Sequence, residues 1–285
     1  MQNLLFLNKP LKAENVFPNV EVLGLSELTG KPSRRGLERA ILVDNTVMNI
    51  VSNQYGVLKN EDFFPKVSER LDDYKFEYDV QSRNFGNGSF VMDFILTGEN
   101  YAFKMKSENG AKIRPFLSFT NSYDGSAKTS GHFGFFREVC SNGLHVATSK
   151  IGFSIKHRGK MTEVVMPSLE KLVFDFMNNE WFEITRNFEI LSDRKVNTNE
   201  ALKQLVDGAK LWKWESSEKN PNPSLNSRLA IDIVNRESRQ LGIEPNLWLV
   251  YNALNEVVHG KLKMPIAKQE ATDKKIFEMA LEMAN

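Results

Sequence analysis

One cysteine in 285 residues, Cys140, leaves no partner for an intramolecular disulfide and no second thiolate for a multi-cysteine zinc site. An excess of charge of one sign is missing too: 37 basic residues stand against 36 acidic, a net charge of +1, so the charge of the whole chain selects no partner. No apolar run nears the roughly 18 to 20 residues of a membrane span, and Leu4-Leu5-Phe6-Leu7 is too short for a signal-peptide core. A cytoplasmic location and no membrane partner are therefore expected.

Established catalytic strings are absent as well. A phosphate-binding loop needs two glycines at fixed spacing, followed by Lys and Ser or Thr, so that backbone N–H groups wrap the phosphate. The nearest string, Gly24 to Gly30-Lys31-Pro32, has the wrong spacing and a proline where the metal-binding hydroxyl belongs. There is no nucleophile elbow, zinc-protease helix or dinucleotide fingerprint. Glu-x-Lys does not occur, and Asp73-Tyr74-Lys75 falls at a helix end, so a metal-dependent nuclease lacks its strand signature. His132, Cys140, His145 and His157 lie within 26 positions, but their spacing matches no finger and they read as structural. No catalytic residue, metal or cofactor is expected.

What remains is ordinary globular material, 41% hydrophobic and 26% charged, with clear changes of period. At this length roughly 75% of the unfolded chain's surface can be buried. Residues 1–39, with Pro10, Pro18, Gly24, Gly30 and Pro32, read as an N-terminal arm. Asn60 reads as an N-cap, with Phe63, Phe64, Val67 and Leu71 at helical spacing and Pro65 at or just after the first turn. From Lys75 to Arg158 the period is 2, interrupted by glycine and asparagine turns, which predicts an antiparallel sheet of about five or six strands. After Pro167 the helical period returns, and 215–223, polar with two prolines, reads as a linker. The expected fold is α+β: one helix, the sheet over 40–165, and C-terminal helices over 166–285 packed on it as one compact unit.

Charge is uneven along this frame. Residues 61–100 carry nine acids and four bases, whereas 101–165 carry ten bases and four acids. Alternation puts Lys104 and Lys106 on one strand face, and Lys156 and Arg158 on another, each opposite apolar residues. With Arg114 these residues are the candidate phosphate-contacting set, with Phe136 or Tyr123 to stack on bases. The alternative is cross-strand pairing with Glu77, Asp79 and Asp93. Arg34, Arg35 and Arg39 read as a basic cluster of the arm. Trp212 and Trp214, two apart, mark either core packing or a partner surface.

Three strings carry a resemblance: Ser118 to Ser126 with its Asn-Ser-x-Asp-Gly-Ser turn, Arg137 to Leu144 with Arg-x-Val-Cys-x-Asn, and Phe153 to Gly159 with Phe-x-Ile-x-His-x-Gly. Upstream stand Val51 to Val57 and Asn60-Glu61; downstream stands Tyr251 to Glu256, where Asn255 replaces a commoner Thr. Over residues 40–260 the chain resembles the phage/plasmid-like protein family catalogued as domain of unknown function nine-three-two. Its motif positions here are Asn121, Ser122, Asp124, Gly125, Arg137, Cys140, Asn142 and His157. The family has no catalytic residues to carry over; the resemblance implies a mobile-element setting, in the host cytoplasm if the chain is phage-encoded. Its helix-then-sheet order is loosely similar to single-strand annealing proteins, an analogy of fold alone. The expected partner is single-stranded DNA, in recombination, replication or DNA protection. The alternative is a protein-interaction module that binds or inhibits a host protein. A second copy of the chain is the third expected partner.

Overall fold

In the computed structural model the described residues are 3–7, 17–84, 88–105, 112–137, 152–176, 181–217, 220–262, 264 and 266–285. Lys106, Cys140 and Asn142 lie outside them, and of Phe136 and Arg137 only the backbone is described. The chain divides into two units, the first of residues 1–100, 116–133 and 151–176, the second of 101–115, 134–150 and 177–285. No described helix is long and apolar enough to cross a membrane.

The fold is α+β, with antiparallel sheets followed by C-terminal helices. Residues expected to belong to an arm form structure: β1 (Asn3–Leu7), β2 (Val20–Gly24) and the short helix α1 (Leu25–Thr29). β2 pairs with β3 (Arg39–Val43), and β3 with β4 (Thr46–Val51), in a three-stranded antiparallel sheet. Asp44 and Asn45 join β3 to β4 with φ of 47° and 64°, the left-handed pair that a two-residue hairpin needs and that Asp and Asn tolerate best.

Helix α2 (Asn60–Asp73) follows. Asn60, expected as its cap, is its first helical residue; Lys59 caps it without a side-chain bond. Pro65 is the sixth helical residue, just after the first turn, and buried Phe63, Phe64, Val67 and Leu71 hold the helix where one backbone bond is missing. β5 (Tyr78–Asn84), β6 (Ser89–Leu96), β7 (Phe103–Lys104), β8 (Lys112–Ser122), β9 (Thr129–Arg137) and β10 (Gly152–Ile155) supply the six expected strands. β1 adds a seventh, giving the order β1-β5-β6-β8-β9-β10 with β7 also paired to β8.

In the first unit, α2 packs over the sheet face bearing Phe90, Phe94 and Phe119: Phe64 lies 5.4 Å from Phe90, and Phe63 5.7 Å from Phe119. Gly131 faces Phe153 across β9 and β10, and a Cβ there would sit 2.6 Å from that ring and 2.8 Å from Phe119. The strands thus close around aromatic rings only because the residue is glycine. Helix α3 (Met161–Asp175) starts before Pro167 rather than after it. β6 is covered on both faces, so Asp93, expected to point outward, is only 6% exposed.

The second unit is built on α4 (Trp181–Asp193), α5 (Thr198–Ala209), α6 (Leu225–Leu241), α7 (Leu247–Gly260) and α8 (Ile266–Ala284). α7, largely apolar, is buried almost all round, with Asn252 and Asn255 inside as well. Its own Trp248 and Tyr251 form a cluster of tilted and edge-on rings with Phe188 of α4 and Phe277 of α8. The expected linker is instead a hairpin, β11 (Glu215–Ser217) and β12 (Asn220–Pro223), whose prolines are tolerated because each strand of a two-stranded sheet is an edge.

Candidate functional site

At one end of the first unit's sheet, β8 ends at Ser122, β6 begins opposite it at Ser89, β9 begins at Thr129 and β10 ends opposite that at Ile155. The start of α2 reaches the same end through Asn60. The motif residues that the sequence places in a turn converge there. Asn121, 1% exposed, donates from Nδ2 to the Leu58 carbonyl at 2.7 Å and to Asn60 Oδ1 at 2.8 Å, and accepts from Thr129 Oγ1 at 3.1 Å. Ser122 Oγ donates to the Ala127 carbonyl and accepts from the Ala127 N–H. Asp124 Oδ1 accepts from Ser126 N–H and Oγ, closing the turn. Gly125, at φ of 77°, supplies the left-handed step, and a Cβ there would meet Asn49 Nδ2 at 3.0 Å.

Across from the turn, the His157 ring stacks on Tyr55 with centroids 5.0 Å apart, and its Nδ1 lies 3.1 Å from the Gly56 carbonyl. Burial pulls the imidazole below its usual 6.5 against the opposing pull of the Gly56 and Ala127 carbonyls. Burial, and then the charge of Asp124, push the Tyr55 phenol up to about 12, so it stays protonated. Gly56 lets the two loops meet, since a Cβ there would sit 2.3 Å from the Gly159 carbonyl oxygen. Arg39, expected to belong to an exposed basic cluster, instead donates from one Nη to the carbonyls of Ser52, Asn53 and Tyr55. Arg34 and Arg35 remain exposed.

Beside this cluster lies a cleft of about 200 Å³, walled by Val43, Met48, Phe90 and Tyr123, with Asp44 and Asn60 among its lining. Tyr123 is not a stacking platform for a base: it is 2% exposed, and its hydroxyl accepts the Asn60 N–H at 2.8 Å.

The candidate phosphate contacts divide between the units. Lys156 and Arg158 stand exposed just beyond β10 in the first unit. Lys104, exposed on β7 opposite Lys112, and half-buried Arg114 belong to the second. Sequence reasoning missed Lys128: it precedes Thr129, which faces Ile155, so the register brings it to the same sheet end as Lys156. It missed Tyr55 and Asn60 as site residues as well, although both stand in the strings quoted above. Among the described residues no three or more His, Cys, Asp or Glu group as metal ligands.

The family model of a domain of unknown function, DUF932, matches residues 47–277. The chain belongs to the DUF932 family. No curated protein and no solved structure matches it. The DUF932 segment opens inside β4 and closes inside α8, so it takes in the whole polar cluster except Arg39. Within it, Asn121 ties the end of β8 to the start of α2, while Ser122 and Asp124 close the turn that follows on Ala127 and Ser126.

Trp212 and Trp214 are used internally in the second unit. Trp214 is 8% exposed, and Trp212 Nε1 donates to Ser227 Oγ at 3.0 Å.

Proposed function

We propose that this DUF932 protein binds single-stranded nucleic acid without catalysing a reaction on it, as a mobile-element protein of recombination, replication or DNA protection. Lys156 and Arg158 contact phosphates, joined by Lys128; Lys104 and Arg114 add contacts from the second unit, and Lys106 completes the set on sequence grounds.

One observation carries the reading. Lys128, Lys156 and Arg158 are exposed and make no ion pair among the described residues. Cross-strand pairing, the competing account, needs side chains about 5 Å apart. Exposed Asp79 lies on β5 and Glu77 just before it, four strand positions from β10 in the sheet order, about 19 Å at the usual spacing. That is beyond a Debye length of about 8 to 10 Å, so these carboxylates do not neutralise the cations.

The test is fluorescence anisotropy of a labelled single-stranded oligonucleotide, with duplex as comparison. The wild-type chain is expected to bind the single strand in a salt-sensitive way, and Lys156→Glu with Arg158→Glu to abolish that binding while leaving the melting temperature unchanged. Unaltered binding by the double variant would remove these residues from the site. Absence of binding at low salt would sink the reading altogether and favour a protein-interaction module.

A further inference from the structure

The three-stranded sheet of β2, β3 and β4 has two unlike faces. Val20, Ile41, Val43 and Val51 point inward and form a core with Tyr123. Alternation sends Leu23, Ala40 and Leu42 to the outer face, and the irregularity in β4 between Val47 and Asn49 brings Val47 and Ile50 to the same side. Ala40 pairs with Leu23 and Ile50, and Leu42 with Glu21 and Val47, so the outer face is apolar apart from one edge carboxylate. Val47 is 52% and Ile50 41% exposed, and Leu28 and Leu37 add exposed apolar surface in the segment that joins β2 to β3. Apolar side chains exposed in a group, rather than singly, mark a docking surface.

Charge at the two ends of the sheet narrows the partner. At the tip, where β3 turns into β4, Glu21 and Asp44 are exposed. At the base, Lys31, Arg34 and Arg35 are exposed and form no ion pair among the described residues. The acids of that end are already engaged: Glu27 accepts the Gly24 N–H, and Glu38 accepts the N–H groups of Gly36 and Asn53. A face that is acidic at one end and basic at the other is complementary to itself turned end for end. Two two-fold arrangements stack such faces with their strands aligned. An axis along the strands sets tip on tip, acid against acid. An axis across the strands sets tip on base, acid against base, and by the register it lays Leu42 over Ala40 of the partner subunit and Val47 over Ile50 of the partner subunit, bulky on small and apolar on apolar.

We propose that the partner of this outer face is a second copy of the chain, docked about a two-fold axis that runs across the strands, with Glu21 and Asp44 of each copy against Lys31, Arg34 and Arg35 of the other. Three strands of about five residues make a face of about 17 by 14 Å. That is well under the roughly 800 Å² per partner of a stable complex, so the pair is a weak one, with Kd on the order of 100 μM. It uses none of the residues assigned to phosphate contact, and it stands or falls apart from the nucleic-acid reading.

Sedimentation velocity of the full chain without nucleic acid, from about 10 to about 500 μM, tests the assignment. The wild type is expected to pass from monomer to dimer across that range. Glu21→Lys with Asp44→Lys, and separately Arg34→Glu with Arg35→Glu, are each expected to weaken dimerisation about tenfold or more, since each sets like charges together. Mixed in equal amounts the two variants are expected to regain the wild-type affinity, because the reversed tip of one then meets the reversed base of the other. Asp44→Lys keeps a left-handed backbone that Lys75 and Lys210 already adopt in this chain. If a charge variant melts early, Val47→Thr with Ile50→Thr, which keeps branched, strand-forming side chains, decides alone and is expected to stay monomeric. A wild type that is monomeric at about 500 μM, charge variants or a Val47→Thr, Ile50→Thr chain that dimerise like the wild type, or a mixture that regains nothing overturns the proposal.

Discussion

Asn60 shows how much one residue can do once the chain is folded. Its backbone N–H donates to the Tyr123 hydroxyl, its side-chain Oδ1 accepts from Asn121 Nδ2, and the partners would cost free energy if left buried and unmet. In sequence it reads as a helix cap, the commonest use of asparagine before an apolar run. Residue type and spacing were legible; the partners 61 and 63 positions away were not, because nothing local encodes them. His157 behaves likewise: its motif string is visible, but its depressed pKa comes from burial between loops distant in sequence. That depression has a definite sign. Above about pH 6.5 the ring is neutral folded and unfolded; below it the unfolded chain takes up a proton that the folded ring resists. Stability should therefore fall as pH drops from about 6.5 through the lower folded value, and His157→Gln should flatten that part of the profile. Urea midpoints at about pH 7.5 and about pH 5.5 check it, followed by far-UV circular dichroism. Parallel losses in wild type and variant would assign the pH dependence elsewhere.

Elements were easier to read than residues, and their errors have causes. The six strands after α2 follow from a period near 2 broken by glycine and asparagine turns, even though apolar runs such as Phe90 to Met92 blur the alternation. β1 and β2 were missed because the prolines and glycines around them outweigh two five-residue strands in any local count. The 215–223 hairpin was missed because polar residues and prolines are the signature of a linker, and only the facing strand makes them a sheet. Helix α7 was legible from its apolar run, yet its tie to α8 was not. His259 on α7 pairs with Asp273 on α8, a carboxylate with no exposed surface. His259→Ala leaves that group without its imidazole partner and should cost about 2 to 3 kcal/mol. All four tryptophans, Trp181, Trp212, Trp214 and Trp248, lie in the second unit, so tryptophan fluorescence during urea unfolding reads this loss directly. An unchanged midpoint would show that the pair adds nothing to the packing of α7 on α8.

For the whole molecule, net charge is a poor guide, since +1 hides an acidic stretch and a basic one that the sheet order sets on different strands. Six phosphate contacts, from Lys104, Lys106, Arg114, Lys128, Lys156 and Arg158, predict a log-log salt slope of about −4 for a single strand, and an affinity loss of about 300-fold between 50 and 200 mM salt. Replacing Lys156 and Arg158 with alanine should bring the slope to about −2.8. A slope left at about −4 would place the phosphate contacts on other cations. The α+β class, the run of antiparallel strands, the helical C-terminal half and the family were all determined by the sequence alone, because period, turn chemistry and motif order are local properties that survive without a fold. The strand order, the seventh strand, and the convergence of Tyr55, Asn60, Asn121, Asp124 and His157 were decided only by tertiary structure. Each depends on groups far apart in the chain, and burial makes their hydrogen bonds obligatory only once they have been brought together.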